Sequence, residues 1–233
     1  MNKFSWRYFV KVLGVFLFIF TFIFLAVIIY FNRLEPLYFD VVIRDFCYDI
    51  RGDKGGFLYW FFRIITEFGD LHLIFLVCII AIVLMKCDYR SIILLLGILF
   101  SVLLSIGLKD IYDRPRPIES MRWMEEETTS FPSGHSTAVT FIYGYLIYVV
   151  YHTKIKRKLK VTLYVSFLLI IILVMFSRMI LGVHYFTDVI AGASVGIMGA
   201  CLAMQLYKIC EKYDFITVGL FDKIKNKNKD KDK

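Results

Sequence analysis

VLGVFLFIFTFIFLAVIIYF, residues 12–31, runs for twenty positions without a charged side chain. At about 1.5 Å of helical rise per residue, it matches the roughly 30 Å hydrocarbon core of a bilayer. Lys3, Arg7 and Lys11 precede it. The run is too long for the apolar segment of a secretory signal and no small-residue cleavage pattern follows, so it reads as an uncleaved first span. Five further segments repeat the pattern, at about 71–86, 91–108, 134–152, 160–181 and 186–207. The second and third spans are joined only by KCDYR, which predicts a tight helical hairpin.

The rest of the composition agrees. The chain has 233 residues, of which 59% are hydrophobic, and a mean hydropathy of +0.67, well above a soluble domain. A formal net charge of +8 would suit nucleic acid, but the cations lie between the apolar runs and in the tail, where they signal topology instead. With the N-terminus inside, 18 of the 28 Lys and Arg fall on the cytoplasmic side, which predicts two cytoplasmic termini. The five cysteines show no CxxC spacing, so neither a disulfide framework nor a metal site is indicated. The expected fold class is all-α: one membrane domain over 1–222, a bundle of six transmembrane helices. An interfacial helix pair over 32–70 lies outside between spans 1 and 2, with Tyr59 and Trp60 as belt residues or as part of a lipid lid. Residues 223–233 are expected to be a basic, disordered cytoplasmic tail.

Against the charge rule, four cations crowd into the short outer segment 109–122: Lys109, Arg114, Arg116 and Arg122. On this topology FPSGH (131–135) opens the fourth span on the same outer face, and SRMILGVHYFTD (177–188) joins the fifth to the sixth there too. Each residue has an ordinary structural role available. Lys109 can snorkel, Ser133 can be a helix N-cap, Arg114 and Arg116 can pair with Asp110 and Asp113, and Arg178 can pair with Asp188. His184 and Asp188, four apart, can be a satisfied pair. Together they suit phosphoryl transfer. The cations neutralise phosphate oxygens, and Ser133 and Gly134 offer free N–H groups at a helix N-terminus. A histidine beside a carboxylate is an activated nucleophile, and a second histidine can protonate a leaving oxygen.

These residues resemble the type 2 phosphatidic acid phosphatase superfamily. Its K-x6-R-P motif corresponds to Lys109, Arg116 and Pro117, leaving Arg114 as an accessory. Its P-S-G-H motif corresponds to Pro132, Ser133, Gly134 and His135. Its S-R-x5-H-x3-D motif corresponds to Ser177, Arg178, His184 and Asp188. The resemblance implies a metal-independent lipid phosphatase with no cofactor. His184 would attack phosphorus to form a phosphohistidine and Asp188 would orient it. His135 would be the acid, and Lys109, Arg116, Ser133, Gly134 and Arg178 would bind the phosphate. It also implies a bacterial inner-membrane protein whose active site faces the extracytoplasmic side. The expected partner is a lipid phosphate or pyrophosphate within the membrane, not nucleic acid. Undecaprenyl pyrophosphate is the first substrate expectation, phosphatidylglycerophosphate the second and lipid A phosphates the third. A lipid phosphotransferase and a non-catalytic lipid-phosphate carrier are the alternatives.

Overall fold

A computed structural model describes residues 6–212. The expected tail at 223–233 lies outside the described residues, as does Lys3. Eight α-helices follow in order: α1 (Trp6–Phe31), α2 (Tyr38–Arg51), α3 (Phe57–Glu67), α4 (Leu71–Leu84), α5 (Tyr89–Tyr112), α6 (Gly134–His152), α7 (Arg157–Ile180) and α8 (Phe186–Lys212). The described residues contain no strand, so the all-α expectation holds.

A helix stands at each of the six expected span positions. Four of them, in α1, α5, α7 and α8, are long and apolar enough to cross a membrane alone. α4 has only 14 residues and reaches that length together with α3, from which it bends by 48°. Part of the supposed interfacial pair therefore continues into a span. The Phe68–Asp70 corner can close because Gly69 carries no side chain: a Cβ there would stand 2.8 Å from Val174 Cγ1 and 3.0 Å from His135 Cδ2.

α6 is not among these long apolar helices, for a physical reason. It is the central helix, with Thr137, Thr140, Phe141, Ile142 and Tyr145 all buried, so it meets other helices rather than lipid. Its most extensive contact is with α8. Gly192 and Gly196 of α8 face Ser133, Thr137 and Thr140 of α6 so closely that a Cβ at either would collide with them. Small residues one turn apart are how membrane helices bring backbones together. Conversely, Phe16, Phe20, Leu96, Leu103, Leu169 and Ile172 are exposed, an apolar surface that only a bilayer would cover. Cys47 and Cys78 are buried packing residues.

Candidate active site

The connecting segment 113–133 folds over the ends of α5, α6 and α8 and brings the three polar motifs together. Its registration depends on backbone bonds: Ser130 N donates to the Arg114 carbonyl at 2.8 Å, and Ser133 N donates to the Asp188 carbonyl at 3.0 Å. Ser133 is the N-cap of α6, with Ser136 N donating to its Oγ at 3.4 Å.

At this end a cavity of about 300 Å³ is lined by Lys109, Arg116, Gly134, His135 and His184, together with Ser105, Glu126 and Asp70. An apolar groove between α4 and α5, lined by Leu71, Phe75, Cys78, Leu95 and Ile98, adjoins it, and Leu71 lines both. Five of the nine nominated residues thus share one cavity. The other four stand behind it. Ser133, Arg178 and Asp188 are wholly buried and Arg114 is 1% exposed. Among the described residues, no group of three or more His, Cys, Asp or Glu is arranged to hold a metal ion.

His184 sits in the turn between α7 and α8 with Arg116 Nη1 3.2 Å from its Nε2. A guanidinium only donates, so the facing Nε2 presents its lone pair and the ring proton belongs on Nδ1. Nδ1 lies 3.6 Å from Asp188 Oδ2, a few tenths beyond hydrogen-bond length. Burial first, then the positive charges of Arg116, Arg178 and Lys109, hold the His184 pKa well below the usual histidine range. The imidazole is therefore neutral at neutral pH.

The cations are fixed by partners the sequence did not suggest. Arg116 Nε donates to the Thr128 carbonyl at 2.6 Å and Nη1 to the Val183 carbonyl at 2.7 Å. Burial lowers its pKa to about 10, still a full cation at neutral pH. Lys109 Nζ donates to Thr128 Oγ1 at 3.0 Å and to the Thr129 carbonyl. Arg178 pairs not with Asp188 but with Glu126, and donates to Thr66 Oγ1 of α3 at 2.8 Å. The same Glu126 carboxylate stands 3.5 Å from Arg116 Nη2, so one anion links both arginines.

Arg114 is the largest departure from expectation. It turns away from the cavity, pairs with Asp188 through Nη1 and with Asp40 of α2 through Nη2 at 2.7 Å. Asp110 and Asp113 pair with neither arginine. Burial disfavours the cation, but Asp188 and Asp40 more than offset that and hold its pKa above the usual range. Asp188 is further fixed by Ser130 Oγ and by Tyr185 N at 2.9 Å. Asp40, Glu126, Ser105 and Thr187 belong to no short motif; only a charged residue on the apolar-rich face of α2 hinted at the first.

Residues 90–211 match the PAP2 superfamily. A stretch of 97 residues is 38% identical to phosphatidylglycerophosphatase B of Bacillus subtilis (strain 168), covering 41% of this chain and 47% of that relative's length. The fold matches the crystal structure of a transmembrane PAP2-type phosphatidylglycerolphosphate phosphatase from Bacillus subtilis, with a TM-score of 0.72, 28% identity, and 84% and 95% of the two chains covered. It also matches the fold of Aquifex aeolicus LpxE, with a TM-score of 0.60, 23% identity, and 73% and 98% covered.

Proposed function

This chain belongs to the PAP2 superfamily, and on that premise we propose that it is an integral membrane lipid phosphatase of a bacterial inner membrane, acting at the extracytoplasmic face through a phosphohistidine. The observation that carries the reading is His184 Nε2, 3.2 Å from Arg116 Nη1, in a cavity shared with Lys109, Gly134 and His135.

A lipid phosphate enters with its oxygens on Lys109, Arg116 and the free N–H groups at the start of α6, where the helix dipole adds to the attraction. Arg178 contributes positive charge from behind. The Nε2 lone pair attacks phosphorus as the bond to the lipid oxygen breaks, and His135, taking a proton from the incoming phosphate monoester, passes it to that oxygen. The phosphorylated ring, still protonated on Nδ1, is cationic and faces the Asp188 carboxylate. Water then attacks phosphorus, His135 takes its proton, and inorganic phosphate leaves with His184 regenerated. Every charge that develops in these steps is met by a protein group, so no metal is needed.

The relatives' names move phosphatidylglycerophosphate ahead of undecaprenyl pyrophosphate as the substrate to test first. The apolar groove between α4 and α5 offers the acyl chains a place beside the cavity. The expected result is phosphate release from phosphatidylglycerophosphate in detergent, unchanged by EDTA and reduced at least ~1,000-fold in His184→Ala. A panel with polyprenyl pyrophosphate, phosphatidate and lipid A ranks the substrates. Loss of turnover with EDTA, or full activity in His184→Ala, would overturn the mechanism.

A further inference from the structure

The phosphate cradle accounts for the cations that face the cavity, but not for the charged cluster behind it. Asp40 lies on α2, a helix whose sequence alone suggests an interfacial belt or lid. Its side chain is fully buried. Oδ2 accepts from Arg114 Nη2 at 2.7 Å, and Oδ1 accepts from Thr187 N at 2.9 Å and Thr187 Oγ1 at 3.0 Å. Thr187 N is one of the unpaired donors in the first turn of α8, so Asp40 caps from outside the helix that carries Asp188. Arg114 Nη1 donates to Thr187 Oγ1 at 2.9 Å and to Asp188 Oδ1.

One cation is thus shared between two carboxylates, and the division matters. A buried Arg paired with Asp188 alone would form a neutral couple, with the carboxylate's charge cancelled by the guanidinium. With Asp40 holding the other arm of the fork, the trio keeps one net negative charge. That charge lies on the side facing His184 Nδ1, 3.6 Å away, where the phosphorylated imidazole is cationic. We infer that Asp40 is a positioning residue of the reaction, sharing Arg114 with Asp188 so that the carboxylate facing His184 stays both fixed and negatively charged. The inference deepens the phosphatase reading and rests on it. It also explains why α2 is docked where it is. The helix buttresses the catalytic carboxylate, with Arg114 serving as its strut rather than as a phosphate ligand.

The test compares wild type with Asp40→Asn, which keeps the shape and the bond from Thr187 but removes the charge. Turnover of phosphatidylglycerophosphate by wild type in the same assay establishes the phosphatase reading first, so its failure is seen separately. The pH profile responds to the charges facing His184: Lys109 from α5, Arg114, Arg116 and Glu126 from the connecting loop, His135 from α6, Arg178 from α7, Asp188 from α8 and Asp40 from α2. Only the last changes. The expected result is a fall in kcat of roughly 10- to 100-fold, as when the group orienting a functional histidine is lost. KM should stay within about twofold, and the acid limb of kcat/KM should move to lower pH, because one negative charge near the imidazole is gone. A fall in melting temperature with unchanged kcat and an unmoved acid limb would overturn the inference, as would a rise in KM alone. Should Asp40→Asn not fold, Asp40→Asn/Arg114→Gln removes one charge of each sign, so the single negative charge of the trio remains, on Asp188 alone. A folded double variant whose kcat/KM acid limb stays at the wild-type pH supports the inference, and one whose acid limb moves to lower pH defeats it.

Discussion

In the proposed mechanism Glu126 and an incoming phosphate compete for Arg116, with Arg178 lending charge from behind. The Glu126 carboxylate pairs with Arg178 and stands 3.5 Å from Arg116, so an anion of the chain holds both arginines in the geometry that an anionic ligand needs. Glu126→Gln removes the competitor's charge. Inorganic phosphate should then inhibit more tightly, on the order of tenfold, the equivalent of about 1.4 kcal/mol. A phosphate inhibition constant equal to or weaker than the wild type's would show that Glu126 does not contest the seat. At this scale the sequence was informative where chemistry is encoded locally. The spacing from Lys109 to Arg116 and from His184 to Asp188 pointed to residues that do converge. It was silent on Glu126 and Asp40, and it set Arg114 aside as an accessory, because their partners come from elsewhere in the chain. Asp40 and Arg114 are 74 residues apart, and no spacing rule links a carboxylate on one helix to a guanidinium on a distant loop.

Among the elements, the contact between α6 and α8 fixes where Ser133 and Asp188 meet. Gly196 packs on Thr140 Oγ1 and the Thr137 carbonyl with no room for a Cβ. Gly196→Val should therefore force the helices apart, at a cost of about 1–3 kcal/mol or more from overpacking. It should also weaken the Ser133 N to Asp188 carbonyl bond at the far end of the same contact. A melting curve in detergent together with kcat measures both effects, and an unshifted melting temperature would contradict this packing. The apolar runs correctly located the helices. Two segments depart from a long, purely apolar span for different reasons: α4 is short and reaches spanning length only with α3 across the bend, whereas α6 is buried inside the bundle, which removes the requirement that a lipid-facing helix must meet.

For the molecule as a whole, every proposed catalytic group lies at one end of the bundle, and the Lys and Arg bias read from the sequence predicts that this end faces outside. Glu126, engaged with Arg178, is unsuited to reporting on this, whereas its neighbour Glu127 is exposed. In a background lacking the five native cysteines, Glu127→Cys should react with an impermeant thiol reagent in intact cells, and Lys158→Cys only after lysis. The reverse pattern would invert the topology. The buried trio of Asp40, Arg114 and Asp188 also bears on how the protein is made. Its members are translated in three instalments, the last on α8. A growing chain inserted into a membrane that holds its own substrate has neither the carboxylate nor the histidine in place until α8 emerges. On the proposed mechanism, the nascent chain stays inactive until α8 packs into the bundle.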